Sequence, residues 1–218
     1  MSRKEQLTKF NKNNILTTAK QLFTENGIHN TKMNDIAKES GYSKSTIYVY
    51  FKSKDEIFNH IVLEYFILLK NSIRDSVANV DSFKEGFFAI CNRTSEFYQK
   101  YPLYFDAILS EVKPGTENPD PVLVKIYEVG EEINDLITNV IKTYVKNGET
   151  SPTMTDITIS TFALWGSICG LITLTHKKEI YIAKRMNICK NDFLQNGFEL
   201  LYKGLAGKLA LKDEISIN

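Results

Sequence analysis

Apolar residues recur every three or four positions along almost the whole chain, and no stretch of useful length alternates between apolar and polar residues as a half-buried strand does. The 218 residues are enough for one large or two small cores. Five prolines and 11 glycines are too few for an architecture rich in β-turns. The pattern therefore predicts an all-α protein with about nine helices.

The first sixty residues contain three helical segments separated by glycine turns. The first covers residues 15–23 and ends at Gly27, while Thr31 is expected to be the N-cap of the second. Gly41 ends the second segment, and Ser43 begins the third. Two short helices joined by a tight glycine turn are typical of a helix-turn-helix. We therefore predict an N-terminal three-helix helix-turn-helix domain over residues 1–52.

Six further helices are predicted in a larger helical domain over residues 53–218. Capping boxes begin two of them, at Ser53 and Ser82, and prolines open two more, at Pro102 and Pro121. The expected helical ranges are 53–77, 82–101, 102–112, 121–147, 153–176 and 187–211.

The charge of the chain is unevenly distributed. The total is +1, but residues 1–60 carry 10 bases and 6 acids, and residues 61–218 carry 17 bases and 20 acids. A positive N-terminal part on a slightly negative body is typical of a two-part protein with one anionic partner. The total alone argues only against a generally basic nucleic-acid coat.

The first sixty residues resemble the DNA-binding domain of TetR-family transcriptional regulators. About 45 consecutive residues follow that family's pattern and spacing, whereas the rest of the chain resembles the family only in helix number, helix lengths and the character of the last two helices. The residues that carry the resemblance are Ile15, Leu16, Ala19, Leu22, Phe23, Gly27, Thr31, Ile36, Ala37, Gly41, Ser43, Thr46, Ile47, Tyr48, Tyr50, Phe51 and Lys54.

The resemblance implies that the third helix reads a DNA major groove with side chains near its N-terminus. Lys44 suits guanine O6 or N7, and the methyl group of Thr46 suits a thymine methyl. Ser45 and Lys32 depart from the residues common in the family, Gly and Thr, so no operator sequence is inherited. The expected DNA-binding residues are Thr31, Lys32, Ser43, Lys44, Ser45, Thr46, Tyr48, Tyr50 and Lys54.

The resemblance also implies a homodimer formed through the last two helices. Residues 153–176 are apolar on all sides, and Gly166 and Gly170 would let a partner helix approach closely. The alternative is that these glycines accommodate neighbours within one chain. The expected interface residues are Gly166, Gly170, Leu194, Phe198, Leu201 and Leu205.

The family's body binds a small-molecule effector, and aromatic residues crowd the middle of this chain. An aromatic-lined cavity with few polar groups suits a hydrophobic or amphipathic molecule, although aromatic residues at helical spacing also form ordinary cores. The expected lining residues are Phe66, Phe87, Cys91, Tyr98, Phe105, Tyr127 and Trp165.

The sequence contains no fingerprint of a catalytic, metal or cofactor site. Three widely spaced cysteines form no disulfide framework, and the three histidines lack ligand spacing, so no metal and no cofactor are expected. Residues 157–175 carry no charge and are long enough to span a bilayer, but their Ser, Thr and Gly content favours a buried helix over a membrane span. We expect a cytoplasmic protein that is not an enzyme.

These expectations combine into a ligand-responsive repressor that binds a pseudo-palindromic operator as a dimer and is released by a small hydrophobic molecule. Three alternatives stay open at this point: a helical small-molecule sensor without operator binding, a transcriptional activator, and an enzyme with a hydrophobic pocket.

Overall fold

The computed structural model describes residues 2–110, 119–146 and 157–206, and within these ranges it contains ten α-helices and no strand. The all-α prediction is thus confirmed. The helices are α1 Arg3–Asn26, α2 Met33–Ser40, α3 Lys44–Tyr50, α4 Lys54–Val77, α5 Phe83–Lys100, α6 Pro102–Ile108, α7 Pro121–Lys146, α8 Ile157–Lys177, α9 Glu179–Met186 and α10 Lys190–Ala206.

The helix that the sequence pattern missed is α9. It has eight residues, of which only Ile182 is buried, so its periodicity is too short to recognise. It ends at Asn187 in a left-handed conformation with φ 56°. The expected beginning of α8 at residues 153–156 and the expected end of α10 at residues 207–211 lie outside the described residues.

The chain divides into two compact units. Unit 1 comprises Met1–Ile67 with Asp106–Glu128, and unit 2 comprises Leu68–Phe105 with Val129–Asn218. Helices α4, α6 and α7 therefore contribute residues to both units. The domain boundary expected between residues 52 and 53 stays a prediction.

Unit 1 is built around the helix-turn-helix. Ile15, Phe23, Ile36 and Ile47 come from α1, α2 and α3 and are almost completely buried. The turn between α2 and α3 passes through Gly41, whose φ of 75° favours glycine. The burial of these apolar faces orients α3 within the unit.

The N-cap expected at Thr31 is wrong. Helix α2 begins at Met33, and Lys32 occupies the cap position, where its backbone N–H donates to Asp35 Oδ2 at 2.8 Å. Thr31 is buried, and its hydroxyl donates to the carbonyl of Gly27 at 2.9 Å. A threonine hydroxyl can cap a helix N-terminus or donate to a nearby carbonyl, and the sequence does not distinguish the two. The predicted cap is therefore one residue too early.

The two capping serines of the later helices are confirmed. Ser53 Oγ accepts from the Glu56 N–H at 3.1 Å, and Ser82 Oγ accepts from the Glu85 N–H at 3.2 Å. The reciprocal bonds of the two predicted capping boxes are displaced by one residue: Glu56 accepts from the N–H of Lys52 at 2.6 Å, and Glu85 accepts from that of Asp81 at 2.9 Å. The bonds accepted by the two serines satisfy N–H groups that a helix terminus would otherwise leave unpaired.

Unit 2 contains α8 packed against α5 and α10. Gly197 permits the close contact of α10 with α8, since a Cβ there would overlap the side chain of Leu171. Buried residues of α8 form one face, including Trp165, Ile168 and Ile172. In the described part of the chain, α8 is the one helix long and apolar enough to cross a membrane, a property that the core helix of a soluble protein shares.

Candidate functional site

The N-terminus of α3 presents an exposed group of polar side chains. Ser43 is its N-cap, as predicted, and its Oγ accepts from the Thr46 N–H at 3.1 Å. The hydroxyls of Ser45 and Thr46 both lie 2.8 Å from Ser43 Oγ. Lys44 is exposed, with Nζ 6.0 Å from the ring centroid of Tyr48, which is also exposed. Side chains in this position can reach the base edges of a major groove.

A hydrogen-bonded chain holds α3 to α1. The Tyr42 hydroxyl donates to Asn11 Oδ1, and Asn11 Nδ2 donates to the Tyr50 hydroxyl, both at 2.8 Å. Because the Tyr50 oxygen accepts this bond, its own proton stays available for a phosphate oxygen. Neither the network nor Asn11 was identified from the sequence, since the residues involved are 31 and 39 positions apart.

The remaining predicted DNA-binding residues have different surroundings. Lys32 is exposed, whereas Thr31 is buried with its hydroxyl bonded inside unit 1. Lys54 Nζ donates to the carbonyl of Ile28 at 2.5 Å and to that of His29 at 3.4 Å. The structure therefore brings together Ser43, Lys44, Ser45, Thr46 and Tyr48 at one exposed surface. Thr31 and Lys54 instead donate hydrogen bonds to carbonyls of the segment between α1 and α2.

The sequence also missed the first part of α1. The helix begins at Arg3, where Ser2 and Glu5 form a capping box, twelve residues before the apolar pattern begins. Leu7 and Phe10 are 60% and 66% exposed on this part of the helix. A Ser-x-x-Glu pattern at residues 2–5 was the signal that could have revealed it.

The predicted effector-binding residues divide between the two units. Phe66 and Tyr127 belong to unit 1, where Phe66 is buried and Tyr127 is 54% exposed. In unit 2, the ring centroids of Tyr98 and Phe105 lie 4.9 Å apart, and Phe87 packs 5.7 Å from Tyr202. The other two predicted residues in unit 2, Cys91 and Trp165, are buried.

His176 is a polar group beside this aromatic cluster that was not predicted from the sequence. Its ring centroid lies 4.4 Å from that of Tyr98. Nδ1 lies 2.9 Å from the carbonyl oxygen of Ile172, and since a carbonyl only accepts, Nδ1 carries the proton. Nε2 is buried and has no hydrogen-bond partner among the described residues. In the neutral ring, this atom is an acceptor for a ligand hydroxyl or amide.

The predicted dimer-interface residues also fall into two groups, exposed glycines of α8 and buried or half-buried residues of α10. Gly166 and Gly170 are exposed, and no described atom lies within 4 Å of a Cβ built at either position. Leu194 and Phe198 are buried within the protomer, while Leu201 and Leu205 are half-buried. On α8, the exposed positions 159, 162, 163, 166, 170 and 174 form one continuous face.

The cysteines fall into two classes. Burial raises the pKa of the Cys91 and Cys169 thiols well above the usual range, and the proximity of Cys169 raises that of Cys91 further. Cys189 is exposed at the start of α10, where its sulfur accepts from the Asp192 N–H at 3.3 Å. Within the described ranges, no three His, Cys, Asp or Glu side chains are grouped as a metal site would require.

Comparison with known proteins identifies the N-terminal part of the chain. Residues 15–61 match the sequence model of a family described as bacterial regulatory proteins, tetR family. Over 48 residues the chain is 42% identical to the HTH-type transcriptional regulator YfiR of Bacillus subtilis, a match that covers 22% of this chain and 23% of that protein. A second B. subtilis HTH-type regulator, YhgD, is 26% identical over 134 residues, which are 62% of this chain and 66% of YhgD. The matches thus span less than two thirds of these relatives.

Solved structures are similar over most of the chain. FadR of Bacillus subtilis, crystallised with stearoyl-CoA, has a TM-score of 0.64 at 19% identity, covering 88% of this chain and 97% of that one. The ketosteroid transcriptional regulator KstR2 of Mycobacterium tuberculosis has a TM-score of 0.66 at 15% identity, covering 90% and 95%. At these identities the likeness shows the fold.

Proposed function

Residues 15–61 match the tetR family, and from this premise we propose that the chain is a ligand-responsive repressor that binds a pseudo-palindromic operator as a homodimer. A small hydrophobic or amphipathic molecule releases it from the DNA. The observation that carries the proposal is the exposed N-terminus of α3, with Lys44, Ser45 and Tyr48 on a helix-turn-helix. The proposal places the protein in the cytoplasm and assigns it no catalytic activity.

The charge distribution supports DNA as the partner. When the chain is divided into residues 1–60 and 61–218, only the first part, which contains the helix-turn-helix, has more bases than acids. Lys44 and Tyr48 supply donors for base edges and phosphates, and the proton of Tyr50 supplies another. A dimer would carry two such surfaces to half-sites about 34–36 Å apart.

The exposed face of α8 supports dimerisation. Phe162 is 58% exposed, and Gly166 and Gly170 leave room for a partner helix beside it. Burying this face in an isologous interface would remove apolar surface from water at about 25 cal/mol per Å². The core residues Leu194 and Phe198 would support the face from within the protomer rather than cross the interface.

Sedimentation tests the dimer. The Phe162→Glu protein should sediment as a monomer at concentrations where the parent is a dimer, because the partner would bury the introduced charge. Leu109→Glu is the matched control, since Leu109 is also exposed but lies in unit 1. A dimeric Phe162→Glu protein would place the interface elsewhere.

Selection of duplexes from a random pool tests DNA binding. The parent protein should enrich two related half-sites whose centres lie about one helical turn apart. Enrichment of a single half-site would contradict the dimeric arrangement. Failure to enrich any sequence would contradict operator binding and favour the small-molecule sensor.

The effector proposal rests on the aromatic cluster of Tyr98 and Phe105 and on the buried acceptor Nε2 of His176. Mass spectrometry of the denatured protein should identify a co-purifying apolar molecule. Because the FadR neighbour binds stearoyl-CoA, this compound is the first probe for release of the selected duplex. A fluorescent duplex that stays bound with stearoyl-CoA and with every co-purified compound would contradict ligand control.

A further inference from the structure

We propose that the first part of α1, residues 3–10, is a second DNA-contacting element that binds the sugar–phosphate backbone beside the groove entered by α3. This segment, called the α1 arm below, lies outside the region that matches the tetR family, which begins at residue 15. The inference rests on the proposed DNA-binding function and adds a partner surface to it.

The α1 arm is helical to its first turn. Ser2 Oγ accepts from the Glu5 N–H at 3.2 Å, and Glu5 Oε2 accepts from the Ser2 N–H at 2.8 Å. No interruption separates the arm from the rest of α1, which continues to Asn26. The arm is therefore held in one direction by the helix that packs in the core of unit 1.

One line of side chains along α1 connects the arm to the part of the helix that contacts the helix-turn-helix. Arg3, Leu7, Phe10 and Asn14 are spaced by four, three and four residues, so they lie along a single line of the helix. At the inner end of this line, Asn14 Nδ2 donates to the Ser40 carbonyl at 3.3 Å. The exposed part of the line thus continues from the side of α1 that contacts the helix-turn-helix.

The length of the arm matches the dimensions of a duplex. Asn11 bonds to Tyr50 at the end of α3, and Arg3 precedes Asn11 by eight residues. At 1.5 Å per residue, Arg3 lies about 12 Å further along the axis. A major groove is about 12 Å wide, so the arm is long enough to span the distance from α3 to a strand that borders the groove.

The chemistry of the exposed line suits DNA. Arg3 is exposed at its end, and Lys4 lies next to it. The acid of the arm, Glu5, projects from the opposite side and is bonded to the Ser2 N–H. Leu7 and Phe10 are exposed between Arg3 and the contacts of Asn11 and can pack on deoxyribose. Cations at the outer end of this apolar surface favour a polyanion over an apolar protein as the occupant.

The test uses the duplex that the parent protein selects, prepared in two lengths: the half-sites alone, and the half-sites with six added base pairs on each side. Fluorescence anisotropy measures affinity for both over a series of salt concentrations. The variants are Arg3→Gln with Lys4→Gln, and Phe10→Ser. The matched control is Lys177→Gln with Lys178→Gln, two exposed lysines of unit 2. Thermal unfolding of each variant verifies its fold.

The parent should bind the longer duplex more tightly, and the Arg3→Gln, Lys4→Gln protein should lose this preference. Its slope of log affinity against log salt should fall by about 1.8 for each arm bound. Phe10→Ser should weaken binding to the longer duplex without changing the slope, and the control should behave as the parent.

Equal affinities of the parent for the two lengths, or a parental slope in the Arg3→Gln, Lys4→Gln protein, would overturn the α1 arm proposal while leaving operator binding by α3 intact. A parent that selects no duplex would overturn both.

Discussion

Single residues of the candidate interface differ in the hydrogen-bonding capacity they retain. Thr31 and Lys54 donate to carbonyls within unit 1, so their polar groups stabilise the helix-turn-helix. Tyr50 accepts from Asn11 and keeps its proton. A residue type favoured in a DNA-binding pattern therefore does not by itself identify a DNA contact, because the same donor can satisfy a neighbouring carbonyl.

The three thiols should differ in reactivity. Burial raises the pKa of Cys91 and Cys169, which disfavours the nucleophilic thiolate, whereas Cys189 is exposed. An aromatic disulfide reagent should modify one thiol rapidly in the native protein and all three after unfolding. Cys189→Ser should remove the rapid phase. Rapid modification of two or three thiols in the native protein would show that unit 2 opens more readily than its packing indicates.

Stability should depend on the protonation of His60. Burial lowers the pKa of this half-buried imidazole, and the Lys12 ammonium lowers it further, so the folded protein favours the neutral ring. Below about pH 6.5 the unfolded chain binds more protons at this position, and the free energy of unfolding therefore falls as the pH falls. Urea unfolding should show a lower midpoint at about pH 5.5 than at about pH 7.5.

The His60→Gln protein is the control for this dependence. Its midpoint should fall less between the same two pH values, because glutamine does not titrate. An equal fall in the parent and the variant would assign the pH dependence to other groups.

Whole elements were predicted with different success. Long amphipathic helices such as α4, α5 and α7 follow directly from their apolar spacing and from their capping serines or prolines. The beginning of α1 and all of α9 were missed because few of their residues are buried. Apolar residues recur at helical spacing only where one side of a helix is buried. The side of α8 that stays exposed could not be predicted, because the sequence is apolar all round.

The glycines of unit 2 give a prediction for helix packing. Ala at Gly197 would overlap the side chain of Leu171, whereas no described atom lies within 4 Å of a Cβ built at Gly204 in the same helix. Both substitutions raise helix propensity, so their difference isolates the overlap. Thermal unfolding should show Gly197→Ala to be less stable than Gly204→Ala by about 1–3 kcal/mol. Equal stabilities would mean that Leu171 moves aside without cost.

At the scale of the whole molecule, the sequence predicted the helical class and the helix-turn-helix, because both depend on local spacing. The candidate effector residues were predicted less completely: Tyr98 and Phe105 are in contact, whereas Tyr127 is largely exposed, and His176 was missed. Which side chains meet across helices depends on tertiary packing, and an apolar pattern does not encode it.

The central claim is that α3 reads DNA, and the affinity of two variants for the selected duplex tests it most directly. Lys44→Ala and Tyr48→Ala should each weaken binding by about 1–3 kcal/mol, roughly five- to 150-fold, while unfolding at the parental temperature. Lys177→Ala with Tyr181→Ala, an exposed pair in unit 2, is the matched control and should bind as the parent does. Parental affinity in both the Lys44→Ala and Tyr48→Ala proteins would contradict the account.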